Sequence, residues 1–373
     1  MKVHIIYQNY LSPDGKMVSV GGIQTYITNL LCLFSERNVP VNVYQVGNEN
    51  FVVNQGSCTI LGFYTNKQTS SERGKFLYNK ARAYIDNNKD LLLFGCETMA
   101  VPNHCKRSIA IQHGIFWDKP NRLNCSRFVF VLDYVLQCYR SWKTINRIKA
   151  VNALVCVDYN FVNWYRALIA HPEMELHVIP NFSEVPQLPN KMQSADHVSV
   201  IFARRFFDYR GTRIFADAMT KILEEFNIVD VTIAGDGPDE GYLKRAFQKF
   251  DERVRFTKYS SNESLTIHST KDVAIVPTLG SEGTSLSLLE AMASKCAVIC
   301  TNVGGMTNIV LDGFNGLIVS PNSKDLYYAL CRLVMSVELR NKLSENAYIT
   351  VKESFSYYKW KEKWLEIIDK TIS

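Results

Sequence analysis

Two glutamates, Glu282 and Glu290, stand with seven residues between them in the segment Val276-Pro-Thr-Leu-Gly-Ser-Glu-Gly-Thr-Ser-Leu-Ser-Leu-Leu-Glu. An apolar run ends at Val276, a Gly/Ser/Thr loop follows, and a helix pattern opens near Thr284. Small residues at Gly283, Thr284 and Ser285 would let an anion reach the free N–H groups of the first turn, through Leu286. The helix dipole adds its positive end. At 1.5 Å per residue, Glu290 lies about 9 Å beyond the helix start. That spacing suits one acid on a sugar and the other on a ribose, with a diphosphate between. An acid set before an anion site costs repulsion, so Glu282 needs a reason to be there. Taken singly, each would be read as a loop acid or a surface helix acid.

These residues need strand ends and helix starts to position them, and the chain supplies both. Short apolar runs alternate with helix-length amphipathic runs from end to end. In the first half, strands are predicted at Val3–Tyr7, Val41–Val46, Leu91–Gly95, Ile109–Gln112, Ala153–Val157 and His177–Pro180, with helices near Gly22–Ser35, Glu72–Asp86 and Phe161–Ile169. A proline-bearing polar stretch then reads as a linker. The second half restarts the rhythm, with strands at Val198–Ala203, Asp230–Ala234, Val254–Thr257, Val273–Val276, Ala297–Thr301 and Gly316–Val319. Its helices are predicted near Thr212–Glu225, Glu240–Phe250, Thr284–Ser294, Ser323–Met335 and Val337–Lys352, and an amphipathic helix over Tyr357–Ile372 closes the chain. Such alternation means parallel sheets covered by helices, an α/β protein of two domains. Ligands of such sheets gather at the carboxyl ends of strands. The expected boundaries are 1–185, a linker at 186–197, 198–354, and a terminal helix at 355–373.

The 373 residues are ample for two cores. Apolar residues make up 47% and charged residues 21%, an ordinary soluble composition. No apolar stretch reaches membrane-spanning length and the start lacks a secretory layout, so a cytoplasmic protein is expected. The ten cysteines form no CxxC pair and no zinc-like cluster, which predicts reduced thiols, Cys296 and Cys300 among them. A net charge of +6 is too mild to argue for nucleic acid. The charge is uneven, however. Between Lys119 and Lys149, Arg122, Arg127, Arg140, Lys143 and Arg147 interleave with aromatics that include Tyr139 and Trp142. Such a stretch can dock at an anionic membrane surface, or it can be a solvated helix face.

The Glu282/Glu290 pair resembles the E-x7-E motif of glycosyltransferase family 4, and the resemblance extends along nearly the whole chain in order. Val20-Gly-Gly-Ile resembles the family's Gly-Gly loop, where Gly22 frees the backbone to approach a phosphate or acceptor. Ile109-Ala-Ile-Gln-His-Gly resembles its strand-then-histidine segment, which places His113 by the transferred sugar. Phe202-Ala-Arg-Arg-Phe-Phe-Asp-Tyr-Arg-Gly resembles its G-R-x…K-G motif, with Ala203 in place of glycine and Arg210 in place of lysine. By that likeness Arg204 and Arg210 clamp the donor diphosphate. Lys258-Tyr-Ser resembles the stretch whose backbone meets the nucleobase. Gly235 and Gly237 imitate a dinucleotide fingerprint, but their spacing is wrong, so they are read as turn residues.

The resemblance implies the GT-B fold: two Rossmann-like domains facing each other across a cleft, with a C-terminal helix crossing back to the first. It implies a retaining glycosyltransferase that moves a hexose-type sugar from a nucleotide-sugar to an acceptor hydroxyl without a metal or other cofactor. Glu282, His113, Arg204 and Arg210 are its expected catalytic residues. Gly22, Lys258, Gly283, Thr284, Ser285, Leu286 and Glu290 complete its donor site. The acceptor is expected to be a lipid-linked sugar or growing polysaccharide at the inner membrane face, as in bacterial cell-surface polysaccharide or lipopolysaccharide synthesis. A nucleotide-sugar epimerase-like enzyme and an inactive nucleotide-sugar-binding subunit are the alternatives.

Overall fold

Strands separated by helices pair in parallel, because each crossover helix returns the chain to the same end of the sheet. The computed structural model, which describes residues 1–19, 21–115, 127–169, 174–187 and 193–372, has two such sheets. The chain divides into two units. Met1–His113, Cys125–Ile179 and Lys361–Ser373 form unit 1, and Gly114–Asn124 with Pro180–Trp360 form unit 2.

Unit 1 runs β1 Val3–Ile6, α1 Gly22–Glu36, β2 Val41–Gly47, β3 Phe51–Gln55, β4 Cys58–Tyr64, α2 Ser70–Ala81, β5 Leu91–Phe94, β6 Ser108–Gln112, α3 Arg127–Ile148, β7 Ala153–Cys156, α4 Tyr159–Leu168 and β8 Glu175–Val178. The sheet order is β3-β4-β2-β1-β5-β6-β7-β8. Strands β1, β5, β6 and β7 are buried throughout, as continuous apolar strands covered on both faces must be. The β3–β4 hairpin was not among the predicted strands, and it is antiparallel. Its short β3 alternates half-buried and exposed residues at the sheet edge, too weak a pattern to register as a strand. Helix α2 is shorter than predicted at its end and starts earlier, at a capping box between Thr69 and Glu72.

Unit 2 runs β9 Val198–Ala203, α5 Thr212–Glu225, β10 Val229–Ala234, α6 Glu240–Phe247, β11 Val254–Thr257, α7 Ser264–Ser269, β12 Val273–Val276, α8 Leu286–Ala293, β13 Ala297–Thr301, β14 Leu317–Val319, α9 Ser323–Met335 and α10 Val337–Ser354. All pairings in its sheet are parallel, in the order β11-β10-β9-β12-β13-β14. One face is packed by a phenylalanine stack, with Phe202 and Phe215 at 4.3 Å between ring centroids. The other face carries Leu289, Met292 and Val298. Cys296 and Cys300 are buried and unbridged.

Helix α11, Tyr357–Ile372, begins within unit 2 and ends within unit 1. In unit 2, Trp360 stacks on Tyr357. In unit 1, Trp364 Nε1 donates to the Tyr26 hydroxyl at 2.8 Å. Part of the expected linker, 188–192, and part of the basic aromatic stretch, including Lys119 and Arg122, lie outside the described residues.

Candidate functional site

The strand order of unit 2 reverses direction between β9 and β12, so the loops leaving those two neighbours part to opposite faces and leave a crevice. Arg204 is the first residue after β9. The Pro277–Ser285 loop follows β12. Topology alone therefore brings Arg204 and Glu282 to one place from 78 residues apart in sequence.

Their side chains meet there. Arg204 Nη2 donates to Glu282 Oε2 at 2.7 Å, and Thr278 Oγ1 donates to the same oxygen at 3.1 Å. Arg210, on the short turn Asp208–Arg210, also bonds Glu282 Oε2. The Tyr209 ring lies against the Arg210 guanidinium, 5.0 Å from centroid to Cζ. Burial pushes the Glu282 carboxyl up, but Arg204 and Arg210 outweigh it and hold the pKa below the ordinary carboxylate range. Glu282 is therefore ionised. Two fixed cations face one carboxylate, which leaves a positive surplus. Arg204 is 8% exposed, and its Nη1 is buried without a hydrogen-bond partner. A buried guanidinium N–H left unpaired is costly, and an anion's oxygen is the group that satisfies it.

Glu290 is the fifth residue of α8. Ser264 Oγ donates to its Oε2 at 2.6 Å. Burial raises its pKa to about 7, against the opposing pull of Ser264 and Arg204. Arg204 thus acts on both glutamates. Tyr259, held above its ordinary pKa by burial and by Glu290, is a further neighbour.

The loop between the glutamates differs from the prediction in one respect. The helix starts at Leu286, not Thr284, and Ser285 is its N-cap in an extended conformation. The reason is tertiary. Asn181 Nδ2 donates to the Thr284 carbonyl at 2.7 Å, and Gly305 N donates to the Glu282 carbonyl at 3.1 Å. These bonds hold Glu282–Thr284 out of the helix. Gly283, Thr284 and Ser285 form the approach to the helix N-terminus, and Leu286 opens the turn whose N–H groups lack helical partners. Ser281 takes a left-handed conformation, φ 58°, in a position where non-glycine residues are uncommon. Gly114, φ +113°, lies against this loop, and a Cβ there would fall 2.8 Å from Gly283 N. Only glycine allows that approach.

Lys258 and Gly235 make none of the hydrogen bonds to Glu282. Lys258 is mostly exposed, and its Nζ lies 3.9 Å from Asp236 Oδ2, away from the arginine pair's hydrogen bonds. Gly235 is a turn residue pressed on β9's exit, where a Cβ would meet the Arg204 carbonyl at 2.1 Å. Gly22 is exposed at the first position of α1. In unit 1, His113 Nε2 donates to the Gly95 carbonyl at 2.9 Å, and its ring stands edge-on to Tyr26. Burial lowers its pKa to about 4, so the imidazole is neutral. Thr278, Ser264 and Asn181 were not singled out in the sequence. Ser264 and Asn181 are common small polar residues whose partners lie far along the chain, and Thr278, four residues from its partner Glu282, lies in a loop whose course no local pattern gives.

Two helix-covered, largely parallel sheets, with a charged site at the switch point of one, define the class: an α/β protein of the GT-B fold. Residues 197–336, within the second unit, match the family model described as Glycosyl transferases group 1. A glycosyltransferase of Methanocaldococcus jannaschii is 24% identical over 221 residues, covering 57% of this chain and 55% of the relative. The phosphatidyl-myo-inositol mannosyltransferase of Mycobacterium leprae is 28% identical over 191 residues, 49% of each chain. The chain thus spans about half the length of the curated relatives it matches. Among solved structures, Anabaena HepE in complex with UDP superposes with a TM-score of 0.69 at 14% identity, covering 99% of this chain and 100% of that one.

Proposed function

We propose that the chain is a retaining glycosyltransferase that moves a hexose-type sugar from a nucleotide-sugar to an acceptor hydroxyl. The observation that carries this reading is the unit 2 site: two fixed arginines, one shared carboxylate and one buried unpaired guanidinium N–H at a switch point. That arrangement suits a diphosphate. When the anomeric C–O bond breaks, the electron pair stays on the diphosphate, and Arg204, Arg210 and the N–H groups at the start of α8 stabilise the charge. The sugar becomes oxocarbenium-like. The acceptor oxygen bonds the anomeric carbon on the face the diphosphate leaves, and its proton passes to the leaving phosphate. Configuration is retained. Glu282 fixes the arginines and meets the sugar hydroxyls. Glu290 accepts from the ribose diol. No metal is needed, because the arginines supply the positive charge.

The acceptor is a lipid-linked sugar or growing polysaccharide in bacterial cell-surface synthesis, handled by unit 1. The phosphatidyl-myo-inositol substrate in the mycobacterial relative's name supports a lipid-borne acceptor, and the UDP in the Anabaena complex supports a nucleotide donor. A donor screen tests the reading. UDP-, GDP- and dTDP-sugars are assayed for binding and turnover with a chelator present. One donor should bind and transfer its sugar, and Glu290→Ala should abolish binding. Absolute dependence on Mg²⁺ or Mn²⁺, or no donor bound at all, would defeat it. Release of an altered free sugar without acceptor would instead favour an epimerase-like enzyme, and binding without any turnover an inactive subunit.

A further inference from the structure

Helix α3 of unit 1 is amphipathic in the inverted sense. A surface helix normally turns its apolar stripe to the core and its polar face to water. Among residues 131–148 only Thr144 and Ile148 are buried. The apolar residues Val131, Leu132, Tyr134, Val135, Leu136, Tyr139 and Trp142 are all exposed, Val135 at 56% and Trp142 at 60%. At 100° per residue all of these but Tyr134 fall within an arc of about 140° on one side of the helix, with Tyr134 about 60° outside it, while Thr144 and Ile148 lie on the other side. Scattered exposed apolar residues need no explanation, but a contiguous stripe along about three turns does.

The charges around this stripe select its occupant. From Val131 to Ala150 the chain carries Arg140, Lys143, Arg147 and Lys149 against the single acid Asp133. Lys143 lies over the Tyr139 ring, 5.8 Å from its centroid. Beside Trp142 a cavity of about 400 Å³ opens between α2 and α3, bordered by the cations Lys75, Lys143 and Arg147 and by one acid, Glu72. Apolar and aromatic side chains bounded by cations match the boundary between acyl chains and anionic headgroups. Among the described residues no helix is long and apolar enough to cross a bilayer, so this face would lie on the membrane rather than span it.

We infer that the outward face of α3 docks on an anionic lipid bilayer, with Val135, Tyr139 and Trp142 entering the interface and Arg140 and Lys143 meeting the headgroup phosphates. The inference rests on the membrane-borne acceptor proposed above, and it specifies the surface that reaches that acceptor. The test is flotation of the full chain with phosphatidylcholine vesicles, with and without phosphatidylglycerol. The wild type should float with the phosphatidylglycerol vesicles and release at high salt. Arg140→Gln and Lys143→Gln should each weaken binding about fivefold, the effect of one basic contact. The double variant Val135→Glu/Trp142→Glu should lose flotation while keeping the wild-type circular dichroism and the donor affinity measured without vesicles. Equal flotation of wild type and double variant would overturn the inference. So would a wild-type dimer in solution that the double variant turns into a monomer, with no flotation by either, because the face would then bind a second copy. Donor affinity in vesicle-free solution tests the transferase reading separately and does not depend on this face.

Discussion

At the carboxyl edge of the unit 2 sheet, Arg204 and Arg210 share the ionised carboxylate of Glu282, and one guanidinium N–H is left over. At the same edge of the unit 1 sheet the polar groups are uncharged or pushed toward neutrality. Both amide atoms of Gln112, at the end of β6, are buried without a partner, as is Asp158 Oδ2, just after β7. Burial raises Asp158 to about 6 and Glu97 to about 7, and lowers His113 to about 4. The two sheets are built alike, so the fold does not set this difference. The side chains placed after each strand do. One edge is prepared for an anion through fixed charge. The other offers neutral hydrogen-bonding groups, which suit hydroxyls better than phosphates.

Substitutions can break this contrast. The largest effect is expected for Arg204→Ala, which removes the residue that acts on both glutamates. Turnover should fall about 10²–10³-fold, the cost of losing one preorganised donor to developing negative charge. Arg204→Lys keeps the charge but not the fork, and should recover only part of the loss. Steady-state kinetics with the screened donor would measure both. Unimpaired turnover in Arg204→Ala would remove the charged edge from the reaction.

A smaller effect of opposite sign is expected in unit 1. Gln112→Leu replaces an unsatisfied buried amide with an apolar group of similar shape. Leaving such a group unpaired costs about 1–3 kcal/mol, so the variant should be as stable as wild type or more so in urea unfolding. A clear loss of stability would mean that the amide has a partner, and the contrast between the two edges would narrow.

The finest test is the pH dependence of Glu290. Its folded pKa of about 7 stands above the ordinary glutamate value of 4.5. A raised acid stabilises the fold fully below the unfolded pKa and loses that contribution as pH rises through the folded one. Stability should therefore decline between pH 4.5 and 7. Donor affinity should move the other way, since only the carboxylate accepts two ribose hydroxyls, and should rise toward a plateau above about pH 7. Asp158 and Glu97 add stability changes of the same sign in unit 1. The diagnostic quantity is therefore the difference between wild type and Glu290→Gln. Equal pH profiles of donor affinity for the two proteins would show that the ribose contact does not involve this carboxylate.

Much of the architecture was legible because it repeats locally. The apolar run Val198–Ala203 and the amphipathic stretch Thr212–Glu225 declare a strand and a helix without reference to anything distant, and both appear with those bounds. The β3–β4 hairpin was not legible, because an edge strand with one half-exposed face lacks the apolar run that marked the others. In the site, the acids stood out by type and spacing, and the arginines by their likeness to a family motif. Their pairing did not, and neither did the outward stripe of α3, since periodicity gives a helix an apolar side but does not say which way that side turns.

The order of residue types along the chain determined which segments become strands and helices and which strand ends carry ionisable groups, because propensity and hydrophobic period act over a few residues. Only the tertiary structure decided that Glu282 is held by Arg204, Arg210 and Thr278, that Asn181 keeps Thr284 out of the helix, and that burial raises Glu290 to about 7. Those outcomes depend on strand order and on the removal of water, and both arise only when segments far apart in the chain are packed together.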